Sequence, residues 1–158
     1  MGNNDTIFSR NLLEKLVNNI WYFWIIAPYT NNVSESSDSP LLIKYDWKPS
    51  IEDIDNFAEM LDLKFWNSIQ QVDAVFWHCM FINRNVIEDV WFLDEQFGVW
   101  NYDDIDLCMR AKKNWYIIWL LKWAFVYHFC HATFEYLWMD INKILAKNFK
   151  LFQRKWLQ

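Results

Sequence analysis

Glycine is almost missing from this chain, with 2 in 158 residues, where average usage of ~7% predicts roughly 11. A chain of mixed helices and strands needs glycine at tight turns and helix ends, because only glycine takes positive φ without steric cost. Cysteine numbers 3, an odd count without framework spacing. That argues against a disulfide-built scaffold and for a reducing, cytoplasmic setting. Positive charge is also lacking: the formal net charge is −5, which argues against the basic surface of a nucleic-acid binder. The opening residues, "MGNNDTIFSR", do not show the basic-then-apolar order of a secretory signal. No apolar run reaches the ~20 residues of a membrane-spanning helix. The best stretch, "WYIIWLLKWAFVYHF" (115–129), is shorter and contains Lys122.

What is present is apolar and aromatic. Hydrophobic residues make up 54% of the chain, which excludes a disordered polypeptide, and the length fits one domain with a real core. Tryptophan, at 12 residues, stands in excess where glycine is short.

Residues 6–19 read as a helix, with Phe8, Leu12, Leu13, Leu16 and Val17 at helical spacing. "WYFWIIAP" (21–28) reads as a buried strand. "YTNNVSESSDSP" (29–40) is a polar, turn-rich loop, long enough to suspect a functional role. Residues 50–65 open on Ser50 with acids in the first turn and read as a capped helix. The spacing predicts a strand over 71–84, a short helix over 85–90 capped by Asn85, and a helix over 102–114 capped by Asn101. Strand-like segments follow over 116–129 and an amphipathic helix closes the chain over 137–158. Alternation of strands and helices indicates an α/β layer architecture, one domain with a core of about 1–136 and the terminal helix beyond it. Two of the predicted helices stop at Trp91 and Trp115, where a left-handed glycine is expected.

For the acid-rich block "FGVWNYDDIDLCMR" (97–110), periodicity alone favours a helix start over a site. Asp103, Asp104 and Asp106 suit a helix start near the positive end of the dipole, with an Asp106–Arg110 pair one turn apart. The same clustering would raise carboxyl pKa values and suit a general base.

The wider run "VDAVFWHCMFINRNVIEDVWFLDEQFGVWNYDDIDLCMRAKKNWYIIW", with the later "AFVYHFCHATF", resembles the acceptor half of family-two glycosyltransferases. These are inverting enzymes of the GT-A fold. Arg84, Asp94, Glu95, Phe97, Gly98, Asn101, Tyr102, Asp104, Asp106, Leu107, Cys108, Arg110, Tyr116, His128, Thr133 and Phe134 match the family pattern. "NNDT" and "WIIAPYTNN" resemble its central segment, and "INKILAKNFKLFQRKW" resembles the tail of one bacterial branch. The resemblance implies a partial GT-A, Rossmann-like domain with a mixed sheet flanked by helices, whose nucleotide-binding N-terminal half would lie upstream. It implies transfer of a sugar from a nucleotide-sugar donor to a saccharide or lipid-linked acceptor hydroxyl, in polysaccharide or glycoconjugate synthesis. The expected place is the cytoplasm, at the inner face of the cell membrane with peripheral association.

By that resemblance Asp104 is the base, with Asp103 in place of the family's glutamate. Asp94 and Glu95 line the acceptor pocket, and Asp106 and Arg110 shape it or hold the structure. Asp5, the last acid of a D-x-D-type motif, and His128 would hold Mg²⁺ or Mn²⁺. Against this stand a helix-capping Asp5, a strand-end His128 and a core His78. A rival for the whole chain is a non-catalytic, aromatic-rich fragment or interaction module.

Trp24, Trp77, Trp91, Trp100, Trp115 and Trp138 fall where the family carries glycine, whereas Trp156 matches a family tryptophan. Some bacterial lineages read the codon UGA as glycine. Translation of such a gene with another code would write tryptophan for many glycines.

Overall fold

A computed structural model describes residues 2–33, 38–98, 101–130 and 140–157. Expectations placed on Trp100, Thr133, Phe134 and Trp138 lie outside the described residues. In chain order the elements are β1 (Thr6–Phe8), α1 (Leu12–Ile20), β2 (Ile25–Thr30), α2 (Ile51–Phe65), β3 (Ile69–Val72), β4 (Phe81–Ile82), α3 (Arg84–Val90), a 3₁₀ turn (Glu95–Phe97), α4 (Asp103–Lys113), β5 (Ile118–His128) and α5 (Ile141–Trp156). This is an α/β architecture with a mixed sheet flanked by helices.

The 11-residue β5 is the spine of the sheet. Along one edge it pairs antiparallel with β3 at its start (Val72 opposite Ile118) and with β1 at its end (Thr6 opposite His128). Along the other edge it runs parallel to β2, which in turn pairs antiparallel with β4. The β2–β5 register breaks between Pro28 and Tyr29. Pro28 has no N–H to give the ladder, so an irregularity there is the expected accommodation.

Alternation along β2 explains why the sheet is covered on both faces. Ile25, Ala27 and Tyr29 join a core with Ile54, Phe57 and Leu61 of α2 and Leu107 and Ala111 of α4. Ile26 joins a second core with Leu12 and Leu16 of α1 and Leu121 and Val126 of β5. A period of 2 in the strand and 3.6 in the helices puts each apolar set on its own side.

The structure corrects several expected boundaries. Residues 6–8 are a strand, and the helix begins only at Leu12. Thr6, Ile7 and Phe8 suit a pleated edge, and the open edge of β5 overrides the local helical spacing. The strand expected over 71–84 is broken, because β3 lies on one edge of β5 while β4 lies beyond β2. Residues 73–80 must cross between them. The α3 cap is Asn83, whose side chain accepts from the Asn85 N–H, so Asn85 is the recipient and not the cap. The residue at the N-cap position of α4 is Tyr102, one later than Asn101, and the chain enters that helix through two left-handed residues, Asn101 (φ 59°) and Tyr102 (φ 72°). By contrast Ser50 caps α2 as expected, accepting from the Asp53 N–H at 3.1 Å.

Two tryptophans hold backbone conformations suited to glycine. Trp115 has φ 68°, and the bonds Trp115 N–H to Lys112 O (3.0 Å) and Tyr116 N–H to Ala111 O (3.1 Å) form a Schellman closure of α4. Trp91 ends α3 at φ 62°, ψ 166°, a region populated essentially by glycine. Trp24 and Trp77 have no positive φ. No described helix is long and apolar enough to cross a membrane.

Candidate active site

The first turn of α4 carries Asp103, Asp104 and Asp106, and all three are buried. Helix dipole alone would leave acids there in water. Here the crossing segment 73–80 and the C-terminal helix α5 cover them. The Val75 backbone N–H meets Cys108 Sγ at 3.5 Å, which seats the crossing segment on α4. The Trp77 indole N–H then donates to Asp103 Oδ2 at 2.9 Å. Asp103 Oδ1 is buried and makes no hydrogen bond of good geometry.

Asp104 accepts from the Ile105 N–H at 2.8 Å. Burial first, and the neighbouring Asp103 charge second, push its carboxyl up to about 7. Burial likewise raises Asp103 against the pull of the Trp77 hydrogen bond. The block therefore holds one carboxyl that exchanges its proton near neutrality, as a general base requires.

Asp106 is different. It is fully buried, and both oxygens are engaged: Arg110 Nε at 2.8 Å on Oδ2, and Trp156 Nε1 and Lys155 Nζ, each at 2.8 Å, on Oδ1. Lys155 Nζ also reaches Asp94 Oδ2 at 2.7 Å. Burial alone would raise Asp94, but the Lys155 and Gln96 hydrogen bonds bring it below the usual carboxylate range. Glu95 is exposed beside it. Arg110 continues past Asp106 to donate to the carbonyls of Val90, Trp91 (2.8 Å) and Phe92 (2.6 Å). It thus ties the end of α3 to α4. Asn148 of α5 donates to the Phe97 (2.7 Å) and Asn101 (3.2 Å) carbonyls, fastening both ends of the turn that leads into the acids.

Arg110→Lys keeps a charge near Asp106 but loses the planar fork that reaches three carbonyls. It is expected to lower stability by about 1–2 kcal/mol, read as the urea midpoint. An unchanged midpoint would show that these bonds contribute nothing.

Asp5 and His128, 123 positions apart in sequence, come together. β1 and the end of β5 pair beside them, and His128 Nε2 lies 3.2 Å from Asp5 Oδ1. The Asn32 carbonyl lies 3.0 Å from Nδ1, and Asn31 brackets the His128 backbone, its Oδ1 accepting from the N–H at 2.7 Å. His78 lies behind His128 with ring centroids 5.9 Å apart. Its own nitrogens are buried without a hydrogen bond of good geometry. Burial first, and His128 second, hold His78 down at about 3, against the Pro28 carbonyl. The dipeptide Trp77–His78 thus links the two clusters, Trp77 touching the acids and His78 backing Asp5–His128.

The folded His78 value lies below the ordinary ~6.5 of an unfolded histidine. Between about 3 and 6.5 the unfolded chain therefore binds more protons, and this residue's contribution falls as the pH drops. His78→Phe is expected to lose less stability than the parent between pH 7 and 5, by up to about 2 kcal/mol. Urea melts at both pH values measure this, and equal losses would remove the effect.

Sequence spacing did not point to Trp77 or Lys155, because neither contact is local. Trp156 stood out only through the matched tail. Among the described residues no group of three or more His, Cys, Asp or Glu is placed to hold a metal ion. Asp5 and His128 offer two donors of suitable type, and a divalent cation bound there would fill its remaining positions with phosphate oxygens and water. No family model, no curated protein and no solved structure matches this chain.

Proposed function

We propose that this chain is the acceptor-side part of an inverting glycosyltransferase of GT-A type. The observation that carries the reading is Asp104: a carboxyl buried beside Asp103, with its proton affinity brought to about 7 by that burial. As base, Asp104 takes the proton from an acceptor hydroxyl. The freed oxygen pair forms a bond to the anomeric carbon of a nucleotide-sugar. The carbon–oxygen bond to the nucleoside diphosphate breaks, and the diphosphate leaves with that electron pair. Attack from the face opposite the leaving group inverts the anomeric centre.

Asp5 and His128 are the residues that would hold Mg²⁺ or Mn²⁺. Such an ion supplies charge neutralisation for the diphosphate. Asp94 and Glu95 stand at the rim of the acid block, while Asp106 and Arg110 hold its floor. The setting proposed is cytoplasmic, at the inner face of the cell membrane, with a saccharide or lipid-linked acceptor. Chromatography of nucleoside diphosphate released from a panel of nucleotide-sugars tests the reading. Release must depend on acceptor and on Asp104, and metal- and acceptor-independent background alone would sink it.

One observation favours a second reading, an aromatic interaction module. Trp21, Trp66, Trp91 and Trp115 are exposed at 82%, 73%, 83% and 91%. Substituting these four would abolish partner binding under that reading and leave sugar transfer intact under the first.

A further inference from the structure

Helix α5 carries five of the chain's 15 basic side chains, Lys143, Lys147, Lys150, Arg154 and Lys155, and none of its 20 acids. Within a total of −5, the helix is therefore +5 and the rest of the chain −10. The five bases do not share one role. Lys155 turns inward, where Asp94 and Asp106 take its charge. Asn148 is fully buried, and the Trp156 indole donates to Asp106. These contacts fix which side of α5 faces the body. The other four bases are exposed. They recur three or four residues apart, which sets them in one stripe along the helix, turned away from Asn148. Arg154 Nε donates to the Lys150 carbonyl at 3.2 Å, and among the described residues none of the four forms an ion pair. Like charges at this spacing oppose helix formation, so the stripe costs stability that an anionic surface would give back. On the flank of α5, Phe149 and, just past its end, Leu157 stay exposed at 42% and 66%. Basic residues with exposed apolar neighbours on one helix are the composition of a segment that lies on a membrane surface.

We propose that α5, seated on the body by Asn148, Lys155 and Trp156, docks the protein on a bilayer rich in anionic phospholipid through Lys143, Lys147, Lys150 and Arg154. Lysine and arginine heads meet the lipid phosphates, and Phe149 and Leu157 enter the layer beneath them. A nucleic acid fits less well. It offers no apolar layer to the two exposed side chains, and a long polyanion would also meet the −10 of the remaining chain, whereas a flat bilayer touches one face. The inference rests on the proposed function only for the membrane setting, to which it adds the docking surface and the lipid chemistry. The charge pattern of α5 is independent of sugar transfer.

The test is flotation of the full chain with two kinds of vesicle, phosphatidylcholine alone and equal parts of phosphatidylcholine and phosphatidylglycerol. Binding is expected to the anionic vesicles only. It should fall roughly tenfold or more as salt rises from about 0.1 M to about 1 M, which shortens the screening length from roughly 10 Å to roughly 3 Å. Lys147→Glu with Lys150→Glu is expected to lower binding roughly tenfold or more, and Leu157→Ser about threefold. Lys44→Glu with Lys48→Glu changes the net charge equally on the exposed segment before α2 and should leave most of the binding. An equal loss in that control overturns the proposal, because net charge alone would then govern binding. Binding to duplex DNA as tight as to the anionic vesicles also overturns it, by making the stripe a general polyanion surface. So does binding to neither vesicle. If the double reversal does not fold by circular dichroism, Lys147→Gln with Lys150→Gln replaces it, with an expected loss of about threefold or more, and no loss overturns the proposal. Nucleoside diphosphate release is read without vesicles, so failure of docking and failure of the transfer reading remain distinguishable.

Discussion

Under the proposed transfer function, Asp104→Asn is expected to lower acceptor-dependent sugar transfer by about 100- to 10,000-fold, the usual effect of removing a positioned general base. It is also expected to make the protein more stable at pH 8. Both effects have one cause. Asp104 is buried at the start of α4, and burial together with Asp103 lifts its carboxyl to about 7. An unfolded aspartate titrates near 3.9. Because the folded value is the higher one, the unfolded chain gives up its proton first, and stability is lost as the pH rises from about 4 to 7. By pH 8 the whole penalty is present. Asparagine has no charge to desolvate and can still accept from the Ile105 N–H. Its amide must, however, replace a carboxyl oxygen near the Trp77 backbone N–H, which offsets part of the gain. The net is about 1–3 kcal/mol, read as a higher urea midpoint at pH 8 that shrinks toward pH 4. A variant that keeps its rate removes Asp104 as base. A variant with no gain at pH 8 shows that the carboxyl is not held against its charge.

Trp91→Gly and Trp115→Gly together are expected to raise stability. At Trp115 the left-handed conformation strains any residue with a Cβ by roughly 1–2 kcal/mol. At Trp91 the combination of φ 62° and ψ 166° costs of order 1–3 kcal/mol. Glycine gives back about 0.5–1 kcal/mol at each site through the freedom of the unfolded chain. Little packing is lost, because the side chains are 83% and 91% exposed. The double variant should gain up to about 4 kcal/mol, a rise in Tm of up to roughly 15 °C for a chain of this size. Trp123→Gly is the control. Trp123 is 5% exposed within β5, and its loss should destabilise by about 3–5 kcal/mol. A fall in Tm for both single variants at 91 and 115 would refute the strain. The coding DNA gives an independent check on the glycine reading: UGA triplets are expected at 91 and 115, and UGG at Trp156, whose indole holds Asp106. UGG at 91 and 115 would end that reading while leaving the strain in place.

The sequence already carried the local half of this protein. Ser50 with Glu52 and Asp53 announced α2, and the amphipathic spacing of 137–158 announced the terminal helix, whose described span is Ile141–Trp156. The acids and bases at opposite ends of α4 marked its direction, and Trp91 and Trp115 marked its and α3's ends. Each signal lies within one or two turns of chain, where backbone geometry and short side-chain contacts decide the outcome. The strand at 6–8 was hidden, because it exists only where β5 offers an open edge. The break at 73–80 was hidden too, because continuous apolar residues look alike whether they stay on one edge or cross a sheet.

The site divides in the same way. Spacing placed three aspartates in one helical turn but gave them equal standing. The fold separated them: Asp106 was enclosed by Arg110, Lys155 and Trp156, Asp103 met the Trp77 indole, and Asp104 was left with a proton it exchanges near neutrality. Asp5 met His128 only because β1 pairs with the end of β5. Chain-local periodicity determined which residues could form helices and strands. Which carboxyl holds a proton near neutrality was decided by tertiary packing, because proton affinity depends on the water removed and the charges brought near by segments far away in the chain.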